Sequence, residues 1–143
     1  MKGRRPGADR GNAALELVIL APVILLLIGF VVAAGRTWIA QGSVAAAARD
    51  AAREASISLT AGEAQRSALA SAQAALRSDG LLCRPVVSVN LAGFSVPPGQ
   101  PASVSATVTC TLRLSGLLVP GLPGSKTLRA TFTSPLDPYR SRA

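Results

Sequence analysis

Residues 16–34 read ELVILAPVILLLIGFVVAA. After the glutamate come 18 residues, Leu17 to Ala34, with no charge and no hydrogen-bonding side chain. As an α-helix this run is about 27 Å long, close to the thickness of a bilayer's hydrocarbon core. A carboxylate at its boundary costs insertion energy, on the order of a few kcal/mol if carried deep and less near the interface. Upstream lies a basic leader, MKGRRPGADR, then Gly11, five residues before Glu16. Lys2, Arg4, Arg5 and Arg10 precede the run and only Arg36 follows it closely. That bias predicts a single pass through the inner (cytoplasmic) membrane, with the N-terminus in the cytoplasm and the C-terminal part outside. Pro22 removes a backbone bond to Val18 and predicts a kink, which membrane helices tolerate. Gly29 and Gly35 leave small faces where another helix can approach.

The chain has 143 residues and a net charge of +8, from 15 basic and 7 acidic residues. Loss of residues 1–11 removes four basic residues and Asp9, which lowers the charge to +5. A nucleic-acid partner is not expected, because the one basic cluster precedes the membrane run and the other basic residues are scattered. There is no His, one Trp (Trp38) and three Phe (Phe30, Phe94, Phe132). The core must therefore be built from Ala, Val and Leu. Cys83 and Cys110 are the only cysteines. An even count in an exported domain favours a disulfide over two buried thiols. Such a bond closes a loop of about 28 residues, worth roughly 3.5 kcal/mol in chain entropy. Two Cys without His cannot fill a tetrahedral zinc site.

Four segments follow: a basic leader at 1–11, a transmembrane helix at 12–36, an extracytoplasmic helical region at 37–80, and a small β domain with a C-terminal tail at 81–143. SVAAAARDAAREA (43–55) is alanine-rich and strongly helix-forming. SLTAG (58–62) breaks the pattern, with Thr60 and Glu63 spaced as a capping box for a second helix. Ser78, Asp79 and Gly80 end it. From Leu81 the apolar period becomes two. Val87, Val89 and Leu91 alternate with polar residues, as do Val104 through Leu114 and then Leu128, Ala130 and Phe132. SVPPGQP and VPGLPGS supply the turns between them. The fold class is α+β: one transmembrane helix continuing into an alanine-rich amphipathic helix, then a small antiparallel sheet of about three strands. The amphipathic helix is the only element available to cover the sheet.

No enzyme, cofactor or small-molecule substrate is expected. Nucleophile triads and most metal sites are hard to build without His. Asp50, Glu54, Glu63 and Asp79 fall among Arg neighbours on helices, where solvated ion pairs are the default. No glycine-rich phosphate loop follows a strand. The run could instead serve as a secretory signal cut after Ala34, but 18 residues exceed an h-region and an acid before the run is atypical.

Leader, Gly11, four residues, Glu16 and apolar run resemble the type IV prepilin signal, G-x-x-x-x-E. The stretch RGNAALELVILAPVILLLIGFVVAAGR (10–36) looks like the N-terminal segment of TadE-like proteins, minor pseudopilins of the Tad (Flp-type) pilus machinery. Arg10-Gly11, Ala14, Glu16, Pro22 and Gly35-Arg36 carry the likeness. AAAARDAAREAS (45–56) resembles the family's alanine–arginine helix, and SPLDPYRS (134–141) a tail often seen in it. The resemblance implies a prepilin peptidase as partner, cutting after Gly11 so that Asn12 becomes the N-terminus and Glu16 the fifth residue. It implies other pilin or Tad assembly subunits as further partners, with Glu16 neutralising the new amine of its own or a neighbouring subunit. Leu17 stands where major Flp pilins usually carry Tyr, and Asn12 is not the apolar first residue of many pilins. Both departures point to a minor or accessory subunit. The competing readings are an uncleaved single-pass envelope anchor with a protein-binding outer domain, and a protein secreted after Ala34.

Overall fold

The computed structural model describes residues 9–113 and 124–139. Residues 1–8 of the leader, Leu114, most of the VPGLPGS turn and the last residues of the tail lie outside the described residues. Helix α1 runs from Asp9 to Ile57, 49 residues, with Pro22 inside it. Helix α2 spans Ala61–Ser78. The strands are β1 (Val86–Asn90), β2 (Ala102–Arg113) and β3 (Ser125–Leu136), with one turn of 3-10 helix at Ala92–Ser95. They form one antiparallel sheet in the order β1-β2-β3. The expected α+β class, a long apolar helix leading into helix and antiparallel sheet, is the observed one.

The sequence reading left open whether the membrane segment and the following helix are joined. They are one helix, which passes Gly35 and Gly42 and first breaks at Ser58. No proline stands between 23 and 57, and the stretch from Ser43 to Ala55 is rich in the best helix former. The break is where SLTAG placed it. Thr60 Oγ1 accepts from the Glu63 backbone N–H at 3.2 Å, and the Glu63 carboxylate reaches back to the Leu59 N–H at 3.4 Å. This is a capping box with its return bond shifted one residue outward. At the far end Leu81 N–H bonds to the Leu76 carbonyl and Gly80 N–H to the Arg77 carbonyl. That pair is the Schellman arrangement, and it requires the positive φ of 71° that Gly80 supplies.

The expected cover, the helical region preceding the sheet, is made by both helices. From α1, Ala40, Val44, Ala47, Ala48, Ala51, Ala52 and Ala55 are buried. From α2, Ala64, Ala68, Ala72 and Leu76 are buried, a strict four-residue ridge. Beneath them Val104, Ala106, Val108, Cys110 and Leu112 of β2 alternate with outward Ser and Thr. The core is Ala, Val and Leu with one Cys, as the shortage of aromatics requires. Methyl-sized side chains let helix and helix approach closely, so packing replaces the large areas that aromatics would bury. On the outer face Thr107 pairs with Thr131 at 2.8 Å and Thr111 with Thr127 at 3.2 Å through their hydroxyls.

Three details differ from the expected strands. Leu91 lies just past β1, where Asn90 Oδ1 accepts from Ala92 N–H at 3.0 Å and turns the chain into the 3-10 helix. β3 is longer than its apolar alternation and takes in Ser134, Pro135 and Leu136 from the presumed tail. Proline is tolerated there because β3 is an edge strand. Phe132 is more than a third exposed, and the Arg49 guanidinium lies 5.3 Å from its ring centroid. Each edge strand is also held by a helix glutamine. Gln65 Nε2 donates to the Val87 carbonyl of β1 and Gln41 Nε2 to the Arg129 carbonyl of β3, both at 3.1 Å.

Cys83 and Cys110 form a disulfide, Cα–Cα 5.9 Å, which ties the α2–β1 connection to the central strand. Replacing both by Ser and Ala is expected to lower the stability of the full chain in detergent by about 3 kcal/mol, read as a shift in denaturation midpoint against the oxidised protein. Gly93 is buried against β2. An added Cβ would overlap the Ser103 carbonyl oxygen and come within 2.8 Å of Leu136 Cδ1. Gly93→Ala is expected to cost about 2–3 kcal/mol, more than Gly80→Ala at about 1 kcal/mol, where the space is open but φ is positive. Equal midpoints for the two variants would show that the close approach at Gly93 is not a packing constraint.

Candidate functional site

The lower half of α1 has no partner in the chain. From Leu15 to Val32 every residue but half-buried Ala21 is exposed, and none of the most apolar window is buried. An ordinary surface helix hides one face, whereas this one is apolar all round and hides none. It is long and apolar enough to cross a membrane. The upper half of the same helix is the spine of the folded head. One element thus sits in two surroundings, and the change falls between Ala34 and Ala40, where burial begins.

The residues marked in the sequence distribute themselves along this axis. Gly11 and Asn12 fall in the first turn of α1. Glu16 is exposed just above them and lines a shallow groove with Leu17, Leu20, Ala21, Ile24 and Leu25. A carboxylate at one end of an apolar groove gives a lateral neighbour both a surface to pack on and a charge to satisfy. Pro22 lies one turn and a half further on, exposed. The disulfide belongs to the other end of the molecule. Glu16 and Ala40, the first buried residue, are about 36 Å apart along the helix. The structure therefore brings Gly11, Asn12 and Glu16 together and keeps them apart from Cys83 and Cys110.

A second group was not legible in the sequence. Arg36, Arg84 and Arg113 line one cleft at the base of the head, with Ile39, Leu82 and Asp79. Lys126 lines an adjoining cleft with Trp38. These residues come from α1, the α2–β1 connection, the end of β2 and the start of β3. No spacing motif could have joined them. The only hint was an excess of arginine without a local cluster. Among the described residues no group of three or more His, Cys, Asp or Glu could hold a metal ion.

Residues 11–53 match the family model described as TadE-like protein. No curated protein and no solved structure matches the chain. The matched stretch covers the uncovered apolar half of α1 and most of its buried half, and it stops short of α2 and the sheet. It contains Gly11, Glu16, Pro22 and the alanine–arginine stretch as far as Arg53, whereas Arg10 and the 134–141 tail lie outside it. Over residues 11–53, therefore, the chain is similar to TadE-like proteins.

Proposed function

We propose that the chain is a pseudopilin, a non-enzymatic membrane subunit in the assembly of a Tad (Flp-type) pilus or a related secretion apparatus. The observation that carries this reading is Glu16, an exposed carboxylate five residues after Gly11 at the start of an apolar helix that nothing in the chain covers. In this reading the N-terminus faces the cytoplasm and the head lies outside. A prepilin peptidase hydrolyses the Gly11–Asn12 bond: water is added, Gly11 leaves with a carboxylate, and Asn12 keeps a cationic amine. The bond falls within the first turn of α1, where few backbone hydrogen bonds have to open.

Cleavage changes the electrostatics of the helix end. The new amine adds positive charge beside the N-terminal pole of the helix dipole, an unfavourable arrangement on its own. Glu16 lies about 6 Å further along the helix, within reach for a long side chain of the same or an adjacent subunit. In lipid an unpaired charge is costly, so the amine–carboxylate pair favours a defined register between neighbouring helices. The apolar face beside Glu16 supplies the packing surface once that register is set. Gly29 and Gly35 leave room for close approach further up, since a Cβ at either would meet nothing.

Intact-mass measurement and N-terminal sequencing of the protein from native membranes test this reading directly. An N-terminus at Asn12, lost in a Gly11→Ala variant, is expected. A chain that stays unprocessed beside an active prepilin peptidase would leave the uncleaved anchor as the better account. A start at Gly35 would make the protein a secreted one. A Glu16→Gln variant is expected to be processed normally but to be crosslinked to neighbouring pilus subunits at least about tenfold less, as loss of a charge partner in a low-dielectric site implies. Undiminished crosslinking would remove Glu16 from the assembly mechanism.

A further inference from the structure

The base of the head combines features that soluble surfaces keep apart. Leu82 is 95% exposed and Trp38 83% exposed, large apolar side chains presented outward. Around them stand Arg36, Arg84 and Arg113 in one cleft and Lys126 in the next, with Asp79 as the acid among them. The opposite end of the head has no such excess, because Arg53 and Arg66 stand beside its acids. Glu54 and Glu63 lie at the α1–α2 turn, where Glu63 caps α2. Asp137 follows the end of β3, beside the contact between Gly99 and Pro138. The basic excess among the described residues of the head is therefore concentrated at its base, towards the apolar half of α1.

Position gives this cluster its meaning. The apolar run ends at Ala34, and the cleft opens over Arg36, Ile39 and Ala40. At helical rise these residues stand about 3–9 Å beyond the run. The polar headgroup layer on each side of a bilayer is about 5–8 Å deep. Arginine and lysine beside outward Trp and Leu are the composition that binds an anionic lipid surface. Sequence-remote residues do this because the antiparallel course of α2 returns the chain to the membrane end at Asp79, and the end of β2 and the start of β3 lie there too.

We propose that the base of the head docks on anionic phospholipid headgroups of the membrane that α1 spans, with Arg36, Arg84, Arg113 and Lys126 taking the phosphates and Leu82 entering the interface. The inference rests on the spanning role given to α1 above. Docking holds the head upright on its stalk before assembly and must be released when a subunit leaves the lipid.

The test uses the full chain in nanodiscs of phosphatidylcholine, with or without phosphatidylglycerol. In wild type, quenching of Trp38, the only tryptophan, by lipids brominated near the headgroup shows whether α1 is inserted. Trp38 unquenched in either lipid would defeat the spanning role itself. With Trp38 quenched, a Trp38→Phe/Leu82→Trp variant reports the docking. Its emission is expected to shift to the blue when phosphatidylglycerol is present and to return in high salt. Adding Arg84→Glu and Arg113→Glu is expected to lower the ratio of docked to undocked head more than about tenfold. The salt and lipid responses of the Leu82→Trp variant stand even if the charge-reversed protein does not fold. A blue shift that ignores phosphatidylglycerol and salt would overturn the proposal. So would a shift found in native membranes and absent from nanodiscs, which would put a protein on this surface instead.

Discussion

The whole molecule depends on one helix serving two solvents. α1 is unbroken for 49 residues, and its two halves obey opposite rules. From Leu17 to Val32 every face is apolar and all but Ala21 is exposed, the pattern that water rejects and hydrocarbon accepts. Above Ala40 the helix is faced with alanine and valine and becomes the floor on which α2 and the sheet are laid. Because the helical hydrogen bonds continue through the junction, the head has no independent orientation. Its distance from the apolar run and its rotation about the axis are both set by residue number.

The alanine core follows from that constraint. A helix that must stay straight and well formed beyond the apolar run is best made of the strongest helix former. The same residues then have to serve as core, and methyl groups bury little area each. The structure answers with close approach. The ridge Ala64, Ala68, Ala72 and Leu76 settles against the alanines of α1, and the 3-10 turn brings Gly93 onto the Ser103 carbonyl. What hydrophobic area does not supply, the crosslink between Cys83 and Cys110 and the helix-to-edge bonds of Gln41 and Gln65 help to provide.

Much of this was legible in the sequence, for reasons that differ by element. The apolar run of α1 declares itself by length, and β2 by five buried residues, 104 to 112, alternating with six outward ones, 103 to 113. The Thr60–Glu63 cap and the Gly80 stop are local chemistry and were readable as such. β3 was under-read because Ser134 and Pro135 carry no apolar period, and only the pairing of Ala102 with Leu136 shows where the strand ends. The cover was readable as the amphipathic part of residues 37–79, but not its division between α1 and α2, because the buried face of α2 is three alanines and a leucine, a weak signal beside true aliphatic stripes. Gly11, Asn12 and Glu16 lie within two turns of α1 by helical spacing alone. The basic base of the head was invisible, because it is assembled by tertiary return of the chain from residues 36, 84, 113 and 126. The same distance explains why these charges do not contradict the orientation read from the leader. Residues far from the run in sequence do not weigh in the bias that sets topology.

The location of the disulfide has a consequence for its chemical lifetime. The Cys110 residue has no exposed surface, and Cys83 is half-buried and lines the clefts at the base of the head. Thiol–disulfide exchange needs an incoming thiolate in line with a sulfur. With the core closed, that approach exists only from the Cys83 side. An oxidant can engage the Cys83 sulfur from the base and be displaced by Cys110 from within, and any reductant that later breaks the bond must come the same way. Whatever occupies the base also controls whether the bond can be undone.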